Sequence, residues 1–530
     1  MFLIMSAAYV DQELQSEFGK IPPSFLPLGN RRLYQHQVKL APKGSNVYLS
    51  LPESYCVSST DQHLLNQLNV TVIKLADGIS LGASLVAAVT LSEHHYNDPL
   101  RILYGDTLLT DVPQDDDFVC ISEVEDYYDW AIVVENEEEW LQQANGKIDN
   151  NTQNVVCGYF TFSDARELMR SVIQCNWQFL DGVNQYKKSK NLKAIFTKNW
   201  LDFGHVNTYY SSKSDFTTQR SFNELIVTAD WIEKTSEKNS KITAEANWFS
   251  VLPFSLRGYI PQYLGAKCFE KSISYRLEYL QNTTLNELYV FSELPVHIWK
   301  KIINKSVGFL SECYKEKPRE SVSEVNTLEE LFGKKTDSRL LNYCSENSIN
   351  LDEMWTFNQE LTISLRMMLE DSKKHLPRED EFSVSILHGD FCFSNIFYDF
   401  RSNRIKTIDP RGITPNGNIS IWGDIRYDIA KLSHSIIGMY DWIIAGHHQV
   451  AINQREILFS IEVDERKKEI QNFFMTLIKR EFGISAVSLM AMQIQLFLSM
   501  LPLHSDDENR QDALFANAFR IYQLMLRYNK

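Results

Sequence analysis

The chain has 530 residues, 53 Lys and Arg against 68 Asp and Glu, and a formal charge of −15; 44% of residues are hydrophobic and 23% charged. That length exceeds one ordinary core and implies two or three domains. The acidic balance leaves no basic surplus for general nucleic-acid binding. Acidic runs at 115–117 and 137–139 read as solvated loops. Eight scattered cysteines, none in Cys-x-x-Cys pairs, indicate neither a zinc site nor a disulfide framework. No run approaches the ~18–20 apolar residues of a membrane span. The apolar opening Met1–Met5 lacks the basic flank of a signal peptide. A cytoplasmic protein without membrane insertion is expected.

Residues 1–210 alternate short apolar runs with helical spacing, the pattern of an α/β sheet domain. Strand candidates are Phe2–Met5, Val70–Leu75, Leu100–Tyr104, Trp130–Val134 and Val155–Phe162. Leu81–Val89 and Arg166–Ile173 have helical spacing, with Ser163 and Asp164 available as caps for the second. Three further segments stand out: a proline-rich turn running into Gly29, the strand end Tyr104-Gly105-Asp106, and Trp200-Leu201-Asp202-Phe203-Gly204. Together they resemble the sugar-1-phosphate nucleotidyltransferases. The resemblance implies a Rossmann-like sheet, a cation held by Asp106 and Asp202, and CTP, UTP or GTP as the nucleotide.

Three features depart from that family. Its Gly-x-Gly-x-Arg loop, whose backbone amides cradle phosphates, is replaced by 7–12, which hold no glycine. The lysine expected after the first proline of the turn is absent, since Pro23 follows Pro22. No Glu-Lys-Pro segment precedes the Val155–Phe162 strand. Lys20, Arg31 and Arg32 are candidates to replace the missing cation. The domain is thus either a transferase or a transferase-like fold kept for binding, assembly or regulation.

From His205 to Asp215 the sequence reads as a polar connector, and the next domain spans 211–290 and 291–530 as two lobes. Strands are expected at 224–228 and 231–235, then helical character at Thr243–Phe249, and another strand at Ser274–Leu280. Thr283 or Thr284 is placed to cap a helix. Residues 296–374 are predicted largely helical, as is the stretch 457–530.

Within the second lobe, the apolar run ending at Leu387 delivers His388-Gly389-Asp390 to a loop; Asn395 follows five positions on, and a second run ends at Asp409. Phosphoryl transfer needs this set: an acid to position a hydroxyl, with a carboxamide and a carboxylate to hold Mg²⁺. The order is that of the eukaryotic-like kinases. Gly389 in place of arginine, and Asp409-Pro410-Arg411, make it resemble the aminoglycoside phosphotransferase and choline kinase family.

That resemblance implies a two-lobed kinase fold, catalytic loop 388–395, ATP and Mg²⁺ as cofactors, and roles for particular residues. Lys234, alone a solvated strand residue, becomes the phosphate-binding lysine, oriented by Glu245. Arg220 or Ser221 would stand where a glycine-rich loop is expected. Backbone groups at Glu278 and Leu280 would hold adenine. Asp390 would orient the acceptor hydroxyl, Asn395 and Asp409 would bind the metal, and His388 would brace the loop. Asp424 and Asp428, in Gly423-Asp424 and Tyr427-Asp428, would anchor that loop and cap the next helix. His434 and Asp441 would face the acceptor region. Arg411 is placed either to meet a substrate anion or transferred phosphate, or to pair with a surface carboxylate.

Fused in one chain, the two domains resemble enzymes that phosphorylate a sugar or amino alcohol and join the product to a nucleotide, as in capsule polysaccharide biosynthesis. The alternatives are a kinase with an inert N-terminal domain and a nucleotide-sensing scaffold. The acceptor and the oligomeric state are not legible.

Overall fold

The computed structural model describes the chain apart from residues 96–97, 114, 125–129, 135–138, 144–152, 221–224, 229, 237–238, 269–271, 321, 323–324, 379–383 and 530. Ser221 and most of the 137–139 acidic run therefore lie outside the described residues, as does the side chain of Arg220. The chain forms two compact units, Met1–Thr217 and Thr218–Lys530. The expected connector is helical instead, Val206–Arg220. Its polar residues mask two buried rings: Tyr209, which packs on Phe18 and donates to the Pro27 carbonyl (2.8 Å), and Tyr210.

Unit 1 is mixed α/β. Its strands are β1 (Phe2–Met5), β2 (Val47–Pro52), β3 (Val70–Leu75), β4 (Leu100–Tyr104), β5 (Thr107–Leu109), β6 (Phe118–Val124), β7 (Ala131–Val133), β8 (Leu141–Gln143), β9 (Gln153–Phe162), β10 (Lys193–Phe196) and β11 (Trp200–Asp202). The main sheet runs β10-β6-β9-β4-β1-β2-β3, with β7 on β9 and β8 on β7. Strands β3, β2, β1 and β4 are parallel, and β9 is antiparallel to both β4 and β6. All four residues of β1 are buried, as a central strand covered on both faces requires. Leu3, Tyr48, Ile102, Phe160, Leu168 and Val183 lie in the core on one side. Asp164 caps the helix Ala165–Gln174, whereas the Ser163 hydroxyl bonds Asp117.

In unit 2, β12 (Leu225–Val227), β13 (Trp231–Ser236), β14 (Tyr263–Cys268) and β15 (Ile273–Glu278) form an antiparallel sheet in the order β12-β13-β15-β14. The helix Asn239–Val251 follows β13 and buries Trp248 and Phe249. Beyond it come β16 (Thr283–Thr284), β17 (Met354–Phe357), β18 (Leu361–Ser364), β19 (Val384–Ile386), β20 (Ile396–Asp399), β21 (Arg404–Thr407), β22 (Trp422–Asp424), β23 (Gln449–Asn453) and β24 (Glu456–Ser460) among helices. Thr284 occupies the N-cap of the helix Leu285–Phe291 but makes no side-chain cap bond.

Three expectations are corrected. The hairpin β17–β18 interrupts the stretch expected to be helical. Trp355 and Phe357 alternate with polar neighbours, and Asn358 and Gln359 turn the chain at positive φ, so period two wins over helical spacing. The rings of Trp355 and Phe357 pack on Phe515 and Phe519. The expected helical start at Ile457 lies in β24, which pairs with β23 and β17. Finally, Ala486–His504 is long and apolar enough to cross a membrane, with mean hydropathy 1.6. It is 67% buried within the protein, because helices pack on several of its faces.

Candidate functional site

The cleft in unit 2 is lined by Leu225, Ile232, Pro261, Leu277, Leu280 and Ile408, with Lys234 and Asp409 among its polar groups. Strand β13 pairs with β12 and β15 on its two sides, so Lys234 sits on an inner strand. Its Nζ lies 2.8 Å from Glu245 Oε2 and 3.1 Å from Asp409 Oδ1. Burial alone would depress the Lys234 ammonium, but the Asp409 and Glu245 carboxylates outweigh it and hold it charged. Glu245 is 1% exposed and also accepts from the Tyr275 hydroxyl at 2.8 Å.

The adenine contacts expected at Glu278 need refinement. The Glu278 N–H donates to the Gln262 carbonyl and that of Tyr279 to Asp230, because β15 continues its pairing to this point. The Leu280 N–H has no partner among the described residues, so it is the free donor at this edge of the cleft.

The residues of the loop 388–395 converge with Asp428. Asp428 is fully buried and receives the backbone N–H groups of His388 (2.6 Å) and Gly389 (2.8 Å). Burial pushes its carboxyl up to about 7 against those bonds. Asp424 caps the helix Ile425–Ile436 and pairs with Arg426 at 2.6 Å. His388 is fully buried, and burial lowers its imidazole to about 4, so it is neutral near pH 7. Its Nδ1 accepts from the Asp390 N–H at 3.3 Å, which assigns the proton to Nε2; that atom donates to Thr407 Oγ1 at 2.7 Å. Thr407 in turn donates to the Asn395 carbonyl. His388 thus ties Asp390 to Asn395.

Asp390 is half-exposed, and its Oδ1 meets Lys431 Nζ at 2.9 Å. Burial works to raise its carboxyl, but Lys431 outweighs it and holds Asp390 below the usual carboxylate range. Asn395 Nδ2 donates to Asp390 O and Oδ2, at 2.9 and 3.2 Å. That leaves Asn395 Oδ1 without a partner among the described residues. Asp409 takes φ 54°, a left-handed conformation rare outside glycine and asparagine, and keeps one carboxylate oxygen clear of Lys234. These two oxygens are the hard donors a magnesium ion would take.

Some residues fall elsewhere than expected. His434 is 2% exposed, stacked on Tyr440, packed against Phe497 at a tilt and bonded to Gln493, so it packs the core rather than facing an acceptor. Asp441 is likewise buried. Two further residues complete the site. Trp248, fully buried, donates Nε1 to the Leu387 carbonyl at 2.8 Å and ties the helix of Glu245 to the residue before the loop 388–395. Lys431 stands in the Asp428-x-x-Lys431 spacing, which signalled a cation on that helix face but not its partner.

In unit 1, Asp106 follows β4 at the point where the parallel strand order reverses, the ligand position of open α/β sheets. Asp202 ends β11, whose register pairs Asp202 with Thr107, and the Phe203 N–H bonds the Asp106 carbonyl at 2.8 Å. A Cβ placed on Gly204 would lie 3.1 Å from Asp106 Oδ2 and 3.4 Å from Asp202 Oδ1, so both carboxylates border one small space. Burial and the neighbouring carboxylate push Asp106 up to about 7, and burial pushes Asp202 up to about 6. Asp202 Oδ2 is buried without a hydrogen-bond partner among the described residues. This donor set fits a divalent cation, although no cluster of three or more His, Cys, Asp or Glu is present among the described residues. Gln37, which no motif marks, holds the turn by donating to the carbonyls of Tyr104, Gly105 and Thr107.

Arg32 does not replace the missing phosphate-binding cation. It is 5% exposed and committed to Asp61 (3.2 Å) and the Phe25 carbonyl (2.8 Å), because the turn after Pro27 folds it inward. Lys20 lies over the Tyr9 ring, and Arg31 is exposed.

No family model matches the chain, and no curated protein matches it. Solved structures similar to it include an aminoglycoside-3'-phosphotransferase of type VIII: 12% identity, 59% of this chain, 99% of that one, TM-score 0.31. A second is a thermostable mutant of aminoglycoside phosphotransferase APH(4)-Ia in ternary complex with ADP and hygromycin B: 13% identity, 59% and 98%, TM-score 0.35. A third is the inositol-1-phosphate CTP transferase from T. maritima: 15% identity, 41% and 96%, TM-score 0.31.

Proposed function

We propose that unit 2 transfers the γ-phosphoryl group of ATP to a hydroxyl of a small molecule, a sugar or amino alcohol. The observation that carries this reading is the convergence of Lys234, Glu245 and Asp409 at one end of the cleft with Asp390 and Asn395. Adenine would occupy the apolar part of the cleft against the free Leu280 N–H, and Lys234 would hold the phosphates. Mg²⁺, taken by Asn395 Oδ1 and Asp409, would neutralise phosphate charge. The acceptor hydroxyl donates to Asp390, its oxygen forms a bond to the γ-phosphorus, and the bond to the β-phosphate oxygen breaks to release ADP. Because Lys431 keeps Asp390 a weak base, its main work is orienting the hydroxyl, with the proton moving late.

For unit 1 we infer a cation between Asp106 and Asp202 that would let a phosphate ester attack the α-phosphate of CTP, UTP or GTP with loss of pyrophosphate. The two steps together would supply surface-polysaccharide synthesis. A second reading, an N-terminal domain that binds without catalysis, is favoured by one observation. Where a phosphate loop would stand, Asp11 accepts from the Leu14 N–H and lies 3.6 Å from His205, and its carboxylate would repel phosphate. A pure scaffold is disfavoured because Asp390, Asn395 and Asp409 are all present.

Mass spectrometry of products from sugars and amino alcohols incubated with ATP, Mg²⁺ and mixed CTP, UTP and GTP tests both units. A phosphate ester together with its nucleotide conjugate supports the two-step reading, and the ester alone supports the second.

A further inference from the structure

A group of cations lies around Tyr427, near Asp390. Gly389, with φ 82°, lets Arg411 cross the catalytic loop: a Cβ on Gly389 would sit 2.6 Å from Arg411 Cβ and within 3.6 Å of its Cγ and Cδ. The Arg411 N–H donates to the His388 carbonyl at 2.7 Å, which fixes the start of that side chain next to Asp390. Tyr427 and Lys431 lie four apart on the helix Ile425–Ile436 and so share a face. Lys335 Nζ lies 3.4 Å from the Tyr427 hydroxyl and 5.7 Å from its ring centre. Arg339, one turn beyond Lys335, bonds the Ser499 carbonyl at 3.2 Å and no other group among the described residues.

The anions do not balance these charges. Lys431 has Asp390, and the nearby Asp337 is taken by Lys373 at 2.7 Å. Among the described residues, no carboxylate lies within 4 Å of Lys335, Arg339 or Arg411. Burial depresses the Lys335 ammonium; the Tyr427 oxygen opposes this, and Arg411, Lys431 and Arg339 act with burial. The Tyr427 phenol, which burial would raise, is instead drawn below its usual range by Lys431, Lys335 and Arg411. Lys335 also emerges directly from a single π-helical turn, Glu329–Lys334, a local distortion common at functional sites. Partly buried cations gathered without a protein anion cost stability, and a bound anion removes that cost.

We propose that the acceptor of the phosphoryl group itself carries an anionic group, a phosphate or a carboxylate, which Lys335, Arg339 and Arg411 hold beside Asp390. This rests on the kinase reading of unit 2. It narrows the acceptor class to sugar or polyol phosphates and sugar acids, and it disfavours polycationic acceptors. The Arg411 fork suits a bidentate oxyanion, and the two other cations fix its distance from the reacting hydroxyl.

Calorimetric titration of the full chain with inorganic phosphate, at saturating ADP and Mg²⁺, tests the site without knowledge of the acceptor. Binding is expected to weaken about tenfold for each cation removed in Arg411→Met, Lys335→Met and Arg339→Met, and to be kept in Arg411→Lys and Lys335→Arg. On the unaltered protein, glycerol 3-phosphate and glucuronate should displace phosphate, and glycerol and glucose should not. Phosphate affinity indifferent to all three substitutions, or displacement by neutral and anionic compounds alike, overturns the proposal. AMP-PNP titration in parallel separates the two readings. A protein that takes up AMP-PNP but shows no anion site loses this inference alone; one that shows the anion site but takes up no AMP-PNP loses the kinase reading.

Discussion

Lys431 Nζ stands 2.9 Å from Asp390 Oδ1, and this one contact sets the character of the site. It keeps the carboxylate ionised and fixed where a hydroxyl would dock. Asp390→Asn removes the acceptor of the hydroxyl proton and weakens the tie to Lys431, while leaving Lys234 and the apolar cleft in place. Turnover should fall by roughly 10²–10⁴-fold, with AMP-PNP affinity within about threefold of the unaltered protein. Single-turnover kinetics and a nucleotide titration read the two effects separately.

The buried Glu245 gives Lys234 a structural role whatever it binds. Lys234→Met leaves that carboxylate with the Tyr275 hydroxyl and a distant Lys241, 3.7 Å away. Unfolding free energy should drop by about 3–5 kcal/mol, whereas Glu245→Gln should cost less, because it removes the buried charge. Denaturant titration checks the order; equal losses would mean the pair is not what holds Glu245.

Gly389 is required twice, by its φ of 82° and by the Arg411 stem 2.6 Å from where a Cβ would lie. Gly389→Ala should destabilise unit 2 by about 1–3 kcal/mol and shift Arg411. Thermal melts together with phosphate titration would show both effects, and an unchanged melt would contradict the close approach.

Acid sensitivity follows from buried imidazoles. Burial lowers His434 to about 3 in the folded protein, whereas an unfolded histidine titrates near its ordinary value. Between those values the unfolded chain holds the extra proton, so this contribution is full above pH ~6.5 and is lost as pH falls. Asp428 and Asp441, raised to about 7, oppose it over part of that range, so the difference between variants is the cleaner measure. Relative to the unaltered protein, His434→Phe should gain about 2 kcal/mol of stability between pH 7 and pH 5. Unfolding curves at the two pH values give that difference directly.

The parts of the site legible in sequence are those that one short loop carries. His388, Asp390, Asn395 and Asp409 fall within 22 residues, and their spacing marks them before any contact is known. Glu245 was identifiable from its distance along the chain from Lys234. What stayed hidden depends on tertiary packing. Nothing in Lys335 or Arg339 points to partners so far along the chain, and only the fold brings their helix to Arg411 and to Tyr427, 92 positions from Lys335. Arg32 read as a free cation because its partner, Asp61, lies 29 residues on and behind a turn. The hairpin Met354–Ser364 was masked by helical sequence on both sides, and its two positive-φ turn residues, neither a glycine, gave little local signal.

The most direct measurement is a calorimetric titration of AMP-PNP into the unaltered protein and Asp409→Asn, each with and without Mg²⁺. If unit 2 binds a nucleotide through Lys234 and a metal held by Asn395 and Asp409, Mg²⁺ should tighten binding to the unaltered protein. Asp409→Asn should lose that gain, about tenfold or more, while metal-free binding changes little. Equal affinity in all four titrations would contradict the assignment of this cleft to nucleotide and metal.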